Sequence, residues 1–119
     1  MSMNDLDQSI GRLLMKDARY TPEAYCFVSE AVNYTVSKLD AHRHVSALEL
    51  LEGAKTFAAS KYGVVSALVL DSWGLKTAKD LGNVVYLLIS EGILSASDDD
   101  DIEDFNIEFS FESTALIKE

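Results

Sequence analysis

The chain has one cysteine, one proline and two histidines. With Cys26 alone no intrachain disulfide can form, and the expected setting is a reducing cytoplasm. A single proline, Pro22, suits a helical chain, because proline breaks helix interiors. The six glycines, at 11, 53, 63, 74, 82 and 92, are scattered. None has phosphate-cradling spacing, and four fall at or near helix ends or starts. No apolar run approaches the roughly 18–20 residues that a membrane span needs. The longest candidates, 64–70 and 84–89, are of buried-helix length, and no membrane association is expected. The stretch 1–7 is polar and acidic, which is not the pattern of a secretory leader. Basic charge is scarce at the C-terminal end. Residues 98–119 hold nine acidic residues and one basic residue, so they carry −8 of the net −10. Such a tail repels phosphate backbones and argues against nucleic-acid binding.

What the chain has is 119 residues with 48% hydrophobic content, enough for one domain, 1–119, with a true core. In residues 5–17, Leu6, Ile10, Leu13 and Leu14 share one face of a first helix. Thr21 as N-cap and Pro22 at the first helical position begin a second, running to about Leu39. Its apolar stripe is Ala24, Phe27, Val28, Ala31, Val32 and Thr35, with Tyr25 and Tyr34 beside it. After a polar connection at 40–44, Ser46 and Glu49 form a capping box for a third helix. Leu48, Leu51, Ala54, Phe57 and Ala58 are its expected buried stripe, and Gly63 its terminator. A fourth, short apolar helix spans 64–73. Thr77 and Asp80 open a fifth, with Leu81, Val84, Val85, Leu88 and Ile89 facing inward. The pattern then changes. Ile107, Phe109 and Phe111 alternate with Glu108, Ser110 and Glu112, the period of a half-buried strand. The spacing predicts strands at 93–96 and 106–112, joined in a β-hairpin across an acidic loop at 98–104. The predicted fold is therefore mainly α, about five helices with a C-terminal two-stranded β-hairpin, in winged-helix-like order.

The ordered set Arg19-Tyr20, Glu23-Ala24-Tyr25, Phe27-Val28, Tyr34-Thr35, His44-Val45-Ser46, Glu49-Leu50-Leu51, Trp73-Gly74, Asp80-x-Gly82, Gly92-Ile93-Leu94 and Asp104-Phe105 resembles a bacterial family. That family is the conserved hypothetical proteins of the planctomycete and verrucomicrobial group. The resemblance covers roughly 19–111, with Phe109 and Phe111 closing the pattern. The chain departs from it at Ala47 and Leu48, where the family carries glycine and glutamine, and at Tyr62 and Leu81, where it carries phenylalanine. The resemblance implies fold boundaries and a bacterial cytoplasmic setting. It transfers no catalytic residue.

Few residues offer chemistry. His42 and His44 form a His-x-His pair, but a structural metal normally takes four ligands, and the only cysteine is distant in sequence. Cys26 lies between Tyr25 and Phe27 without a basic neighbour to lower its pKa, so it reads as a small core residue and not a nucleophile. The run Asp98, Asp99, Asp100, Asp101 invites a calcium loop, yet neither frame works. Counted from Asp98 the sixth position is Glu103 and the twelfth Phe109. Counted from Asp101 they are Asn106 and Glu112, where glycine and glutamate are needed. No catalytic residue, cofactor or metal is expected.

Two features suit a partner. Asp98, Asp99, Asp100 and Asp101 can steer a basic protein, and Trp73 is a residue type enriched at interface hot spots, although it also reads as core. The leading expectation is a small non-catalytic protein-interaction module. A winged-helix-like nucleic-acid-binding or regulatory protein is the alternative. A small enzyme is the third, and it needs Asp80, Glu49 or His44 gathered in a pocket.

Overall fold

A computed structural model describes residues 5–39, 45–95 and 100–112, with side chains from Gln8 onward in the first stretch. Five α-helices are present there: α1 Asp5–Lys16, α2 Pro22–Ser37, α3 Ala47–Tyr62, α4 Ser66–Ser72 and α5 Ala78–Ser90. Two short 3-10 turns, Gly63–Val65 and Ile102–Phe105, complete the regular structure.

Local chemistry sets the starts. Thr21 accepts from the Ala24 amide, with Pro22 at the first helical position. Ser46 and Glu49 cap α3 reciprocally, as do Thr77 and Asp80 in α5. Helix α3 stops at Gly63, whose φ of 63° is left-handed. Gly74, at φ 97°, has a second reason to be glycine. A Cβ there would run into the Arg19 carbonyl oxygen and stand 3.0 Å from the Tyr20 ring. The same close approach lets the Thr21 amide donate to the Trp73 carbonyl, which ties the α1–α2 connection to the end of α4.

Helix α2 lies at the centre and packs against both α3 and α5. Its Ala24, Val28 and Ala31 are fully buried, as are Leu51, Ala54 and Ala58 of α3 and Leu81, Val84 and Leu88 of α5. Alanines at the α2–α3 contact let the axes come close, and leucines and valines fill the α5 side. Helix α1 adds Leu13 and Ile10 to this core. Its Arg12 and Lys16 bind Glu91 at the end of α5, at 2.8 and 3.1 Å.

The expected β-hairpin, and with it the winged-helix order, is absent: there is no strand among the described residues. The reason lies in the hydrogen bonds. The amides of Ile93 and Leu94 both donate to the Leu88 carbonyl, closing the end of α5, so they are not available for a ladder. On the other side, Asp101 caps the 3-10 turn by accepting from the Glu103 amide at 2.9 Å. Residues 106–112 are an irregular strap laid over the helices. Their alternation is realised only at its end, since Phe111 is buried and Phe109 half-buried while Ile107 is exposed like its polar neighbours. It reports which side chains meet the helices, not backbone pairing. Phe109 and Phe111 meet edge to face at 5.4 Å, and Lys55 of α3 lies over the Phe109 ring.

Three smaller expectations also change. Leu48 is about half exposed instead of buried. Cys26 is half-buried. The fourth helix is divided, with the 3-10 turn Gly63–Val65 leading into α4 and Val64, Val65 and Leu68 exposed.

Candidate functional site

The acids singled out for chemistry are occupied by caps. Asp80 accepts the Tyr20 phenol on Oδ1 at 2.8 Å. Its Oδ2 accepts the amides of Lys76 and Thr77 and the Thr77 hydroxyl, at 3.0 to 3.1 Å. A carboxylate holding four donors fixes a helix start and a tyrosine. The Asn83 amide donates to the same Tyr20 oxygen at 3.0 Å, completing a Tyr20–Asp80–Asn83 network. Burial, and after it the Asp80 hydrogen bond and charge, pushes the Tyr20 phenol up to about 12. Glu49 receives the Ser46 amide at 2.9 Å at the start of α3. His42 and His44 lie outside the described residues. Among the described residues no three His, Cys, Asp or Glu side chains gather as a metal site. No helix there is long and apolar enough to cross a membrane.

The concave feature lies elsewhere. A cleft of about 320 Å³ opens between α2, the start of α3, the second half of α5 and the 3-10 turn Ile102–Phe105. Its apolar lining comes from Val32 and Val36 of α2, Val45, Ala47 and Leu50 around the start of α3, Val85 and Ile89 of α5, and Ile93 and Leu94 beyond it. The residues Asp100, Asp101 and Asp104 line one side, on the turn that Phe105 anchors. That anchoring depends on Gly82: a Cβ there would stand 2.6 Å from the Phe105 Cβ and ring, so only glycine lets the ring sit down on α5. Tyr86 also lines the cleft. Burial raises its phenol pKa, and the charges of Asp100, Asp101 and Asp104 raise it further. It is a neutral phenol in a negative field.

The structure thus treats the expected interaction residues differently. Asp100 and Asp101 border the cleft, Asp100 half-buried and Asp101 exposed. Asp98 and Asp99 lie outside the described residues. Trp73 is half-buried against Phe27 and Tyr62, with ring centroids 6.0 and 5.8 Å away, and takes no part in the cleft. Sequence reading missed Asp104 as a rim residue and Tyr86 altogether. Tyr86 carried a weak signal, since it follows Val84 and Val85 on an apolar helix and its own face was unassigned. No protein-family model matches the chain, and no curated protein and no solved structure matches it.

Proposed function

We propose that the chain is a non-catalytic protein-interaction module, and that the cleft docks an apolar segment of a partner protein flanked by basic residues. The carrying observation is the pairing of an apolar floor with three carboxylates, Asp100, Asp101 and Asp104, on a single side. Apolar side chains in the cleft would supply affinity by leaving water. The carboxylates would speed and orient the approach of a cationic segment. The one-sided acidic edge also sets a direction, because a lysine or arginine beside the apolar anchor is favoured on the turn side only. A reducing cytoplasm is the proposed setting, on the single cysteine. A winged-helix reader of nucleic acid loses its scaffold, because no wing exists among the described residues.

The test is a nuclear magnetic resonance titration with two short peptides, one alternating leucine with arginine and one alternating leucine with glutamate. The arginine peptide is expected to shift resonances of Val36, Tyr86 and Ile89. The triple variant Asp100→Asn, Asp101→Asn, Asp104→Asn should weaken that binding by about tenfold and flatten its salt dependence. Asparagine keeps an acceptor at 101, so the turn remains capped. Equal binding of the glutamate peptide, or shifts confined to another face, would refute the docking role.

A further inference from the structure

The partner chemistry that the cleft calls for is exposed apolar side chains with a cation beside them. The chain displays this on its own surface. Val64, Val65 and Leu68 are 65%, 45% and 70% exposed, and together they form an apolar projection at the 3-10 turn and the start of α4. Val64 and Val65 lie in the 3-10 turn and Leu68 in the first turn of α4, so the three follow closely along the chain. Lys61 precedes them at the end of α3. Its ammonium pairs with Glu30 at 3.5 Å, between side chains 40% and 57% exposed, and lies over the Phe57 and Tyr62 rings at 5.3 and 5.9 Å, exposed contacts that a stronger set of carboxylates can outcompete.

Position strengthens the match. The cleft is lined by Val45, Ala47 and Leu50 at the N-terminal end of α3, and the projection follows its C-terminal end. The two features are separated by the 16 residues of that helix, about 24 Å. One is a cleft bordered by carboxylates, and the other is an exposed apolar patch with a lysine before it. Because they sit at opposite ends of one rod, a single molecule cannot join them.

We propose that the occupant of the cleft is a second copy of this chain, which inserts Val64, Val65 and Leu68 with Lys61 facing Asp100, Asp101 and Asp104. This rests on the docking role proposed for the cleft and names its partner. The contact joins two different patches, so it is heterologous, and it leaves an unused cleft at one end of the pair and an unused projection at the other. Association then continues past two chains. The net charge of −10 opposes it and keeps it weak in low salt.

Sedimentation equilibrium of the full chain tests this, from about 10 µM to about 1 mM at about 0.15 M salt, a range that covers weak contacts. Two variants isolate the two patches. Val64→Asp with Leu68→Asp charges the exposed projection. Val36→Glu with Ala47→Glu charges the cleft at an exposed position and at the first position of α3, where an acid suits the helix dipole. Thermal melts confirm that both fold. The mean mass of wild type is expected to climb beyond two chains, while each variant alone stays at one. An equimolar mixture of the variants holds one intact cleft and one intact projection per pair, so its mass should rise to two chains and stop. Wild type at the mass of one chain at the top concentration overturns the proposal, as does a mixture that associates no better than its parts. If the arginine peptide still binds the cleft in those cases, self-recognition fails and the docking role stands.

Discussion

Asp80 shows how one side chain joins local and long-range order. Its Oδ2 completes a cap within α5, and its Oδ1 holds a tyrosine sixty residues away in sequence. The cap was legible from Thr77 and the acid three positions on. The tyrosine was not, because nothing local marks which phenol will arrive. Asp80→Ala should therefore cost about 3 kcal/mol, against about 1 kcal/mol for Ser46→Ala, whose box is exposed and purely local. Chemical denaturation of the two variants checks the order. Tyr20 and Tyr25 also carry a pH signature. Burial pushes each phenol up to about 12 from an ordinary value of 10. Folding then favours the protonated form. Nothing changes below pH 10, where both states are neutral. Between pH 10 and 12 the unfolded chain releases protons that the folded chain retains, so stability falls as pH rises. Melts across that window should show a declining Tm, and ionisation of Tyr20 and Tyr25, read from their ring resonances, should appear together with unfolding. Phe105 belongs at this scale as well. It is buried against Gly82 of α5 and anchors the acidic turn there. Phe105→Ala should cost about 3 kcal/mol. Gly82→Ala, which forces a methyl against the same ring, should cost about 1–3 kcal/mol, with thermal melts as the readout.

At the scale of elements, the helix starts were legible because capping is a short-range pattern. Thr21, Ser46 and Thr77 each stand where their helices begin. The C-terminal segment misled for a physical reason. Alternating side chains are necessary for a half-buried strand but do not supply a pairing partner. Here the amides at 93 and 94 close a helix, and 106–112 lies on helices without a neighbouring strand. How α1 attaches was also invisible in sequence. Arg12 and Lys16 draw Glu91 below its ordinary carboxylate value, mainly through their hydrogen bonds. A depressed carboxylate contributes stability above its unfolded value and loses it as pH falls through the folded one. Acidification below about pH 4.5 should loosen α1 before the rest, because the remaining elements are tied by burial. Glu91→Gln should produce the same loosening at neutral pH. Hydrogen-exchange protection factors along α1 test both, and unchanged protection in the variant would show that Ile10 and Leu13 hold the helix alone.

For the whole molecule, charge distribution decides what can approach. The net −10 makes the long-range field repulsive to phosphate, so no submicromolar binding to duplex DNA is expected at about 150 mM salt. A filter-binding or anisotropy titration settles it. Of the acidic segment, Asp100, Asp101 and Asp104 border an apolar cleft. That placement converts a solubility feature into a selective one, since the carboxylates now stand beside a surface with affinity of its own.

By itself the sequence determined the helical character, the capped starts of α2, α3 and α5, and the concentration of negative charge. Each of these follows from neighbours in sequence or from composition, and both are present before folding. Only the tertiary structure decided that Asp100, Asp101 and Asp104 line one cleft with Tyr86, Val36 and Val45, that Asp80 reaches Tyr20, and that Val64, Val65 and Leu68 are left uncovered. These depend on how α2, α3 and α5 pack, and packing is set by many weak contacts summed across the chain. No short window of sequence contains that sum.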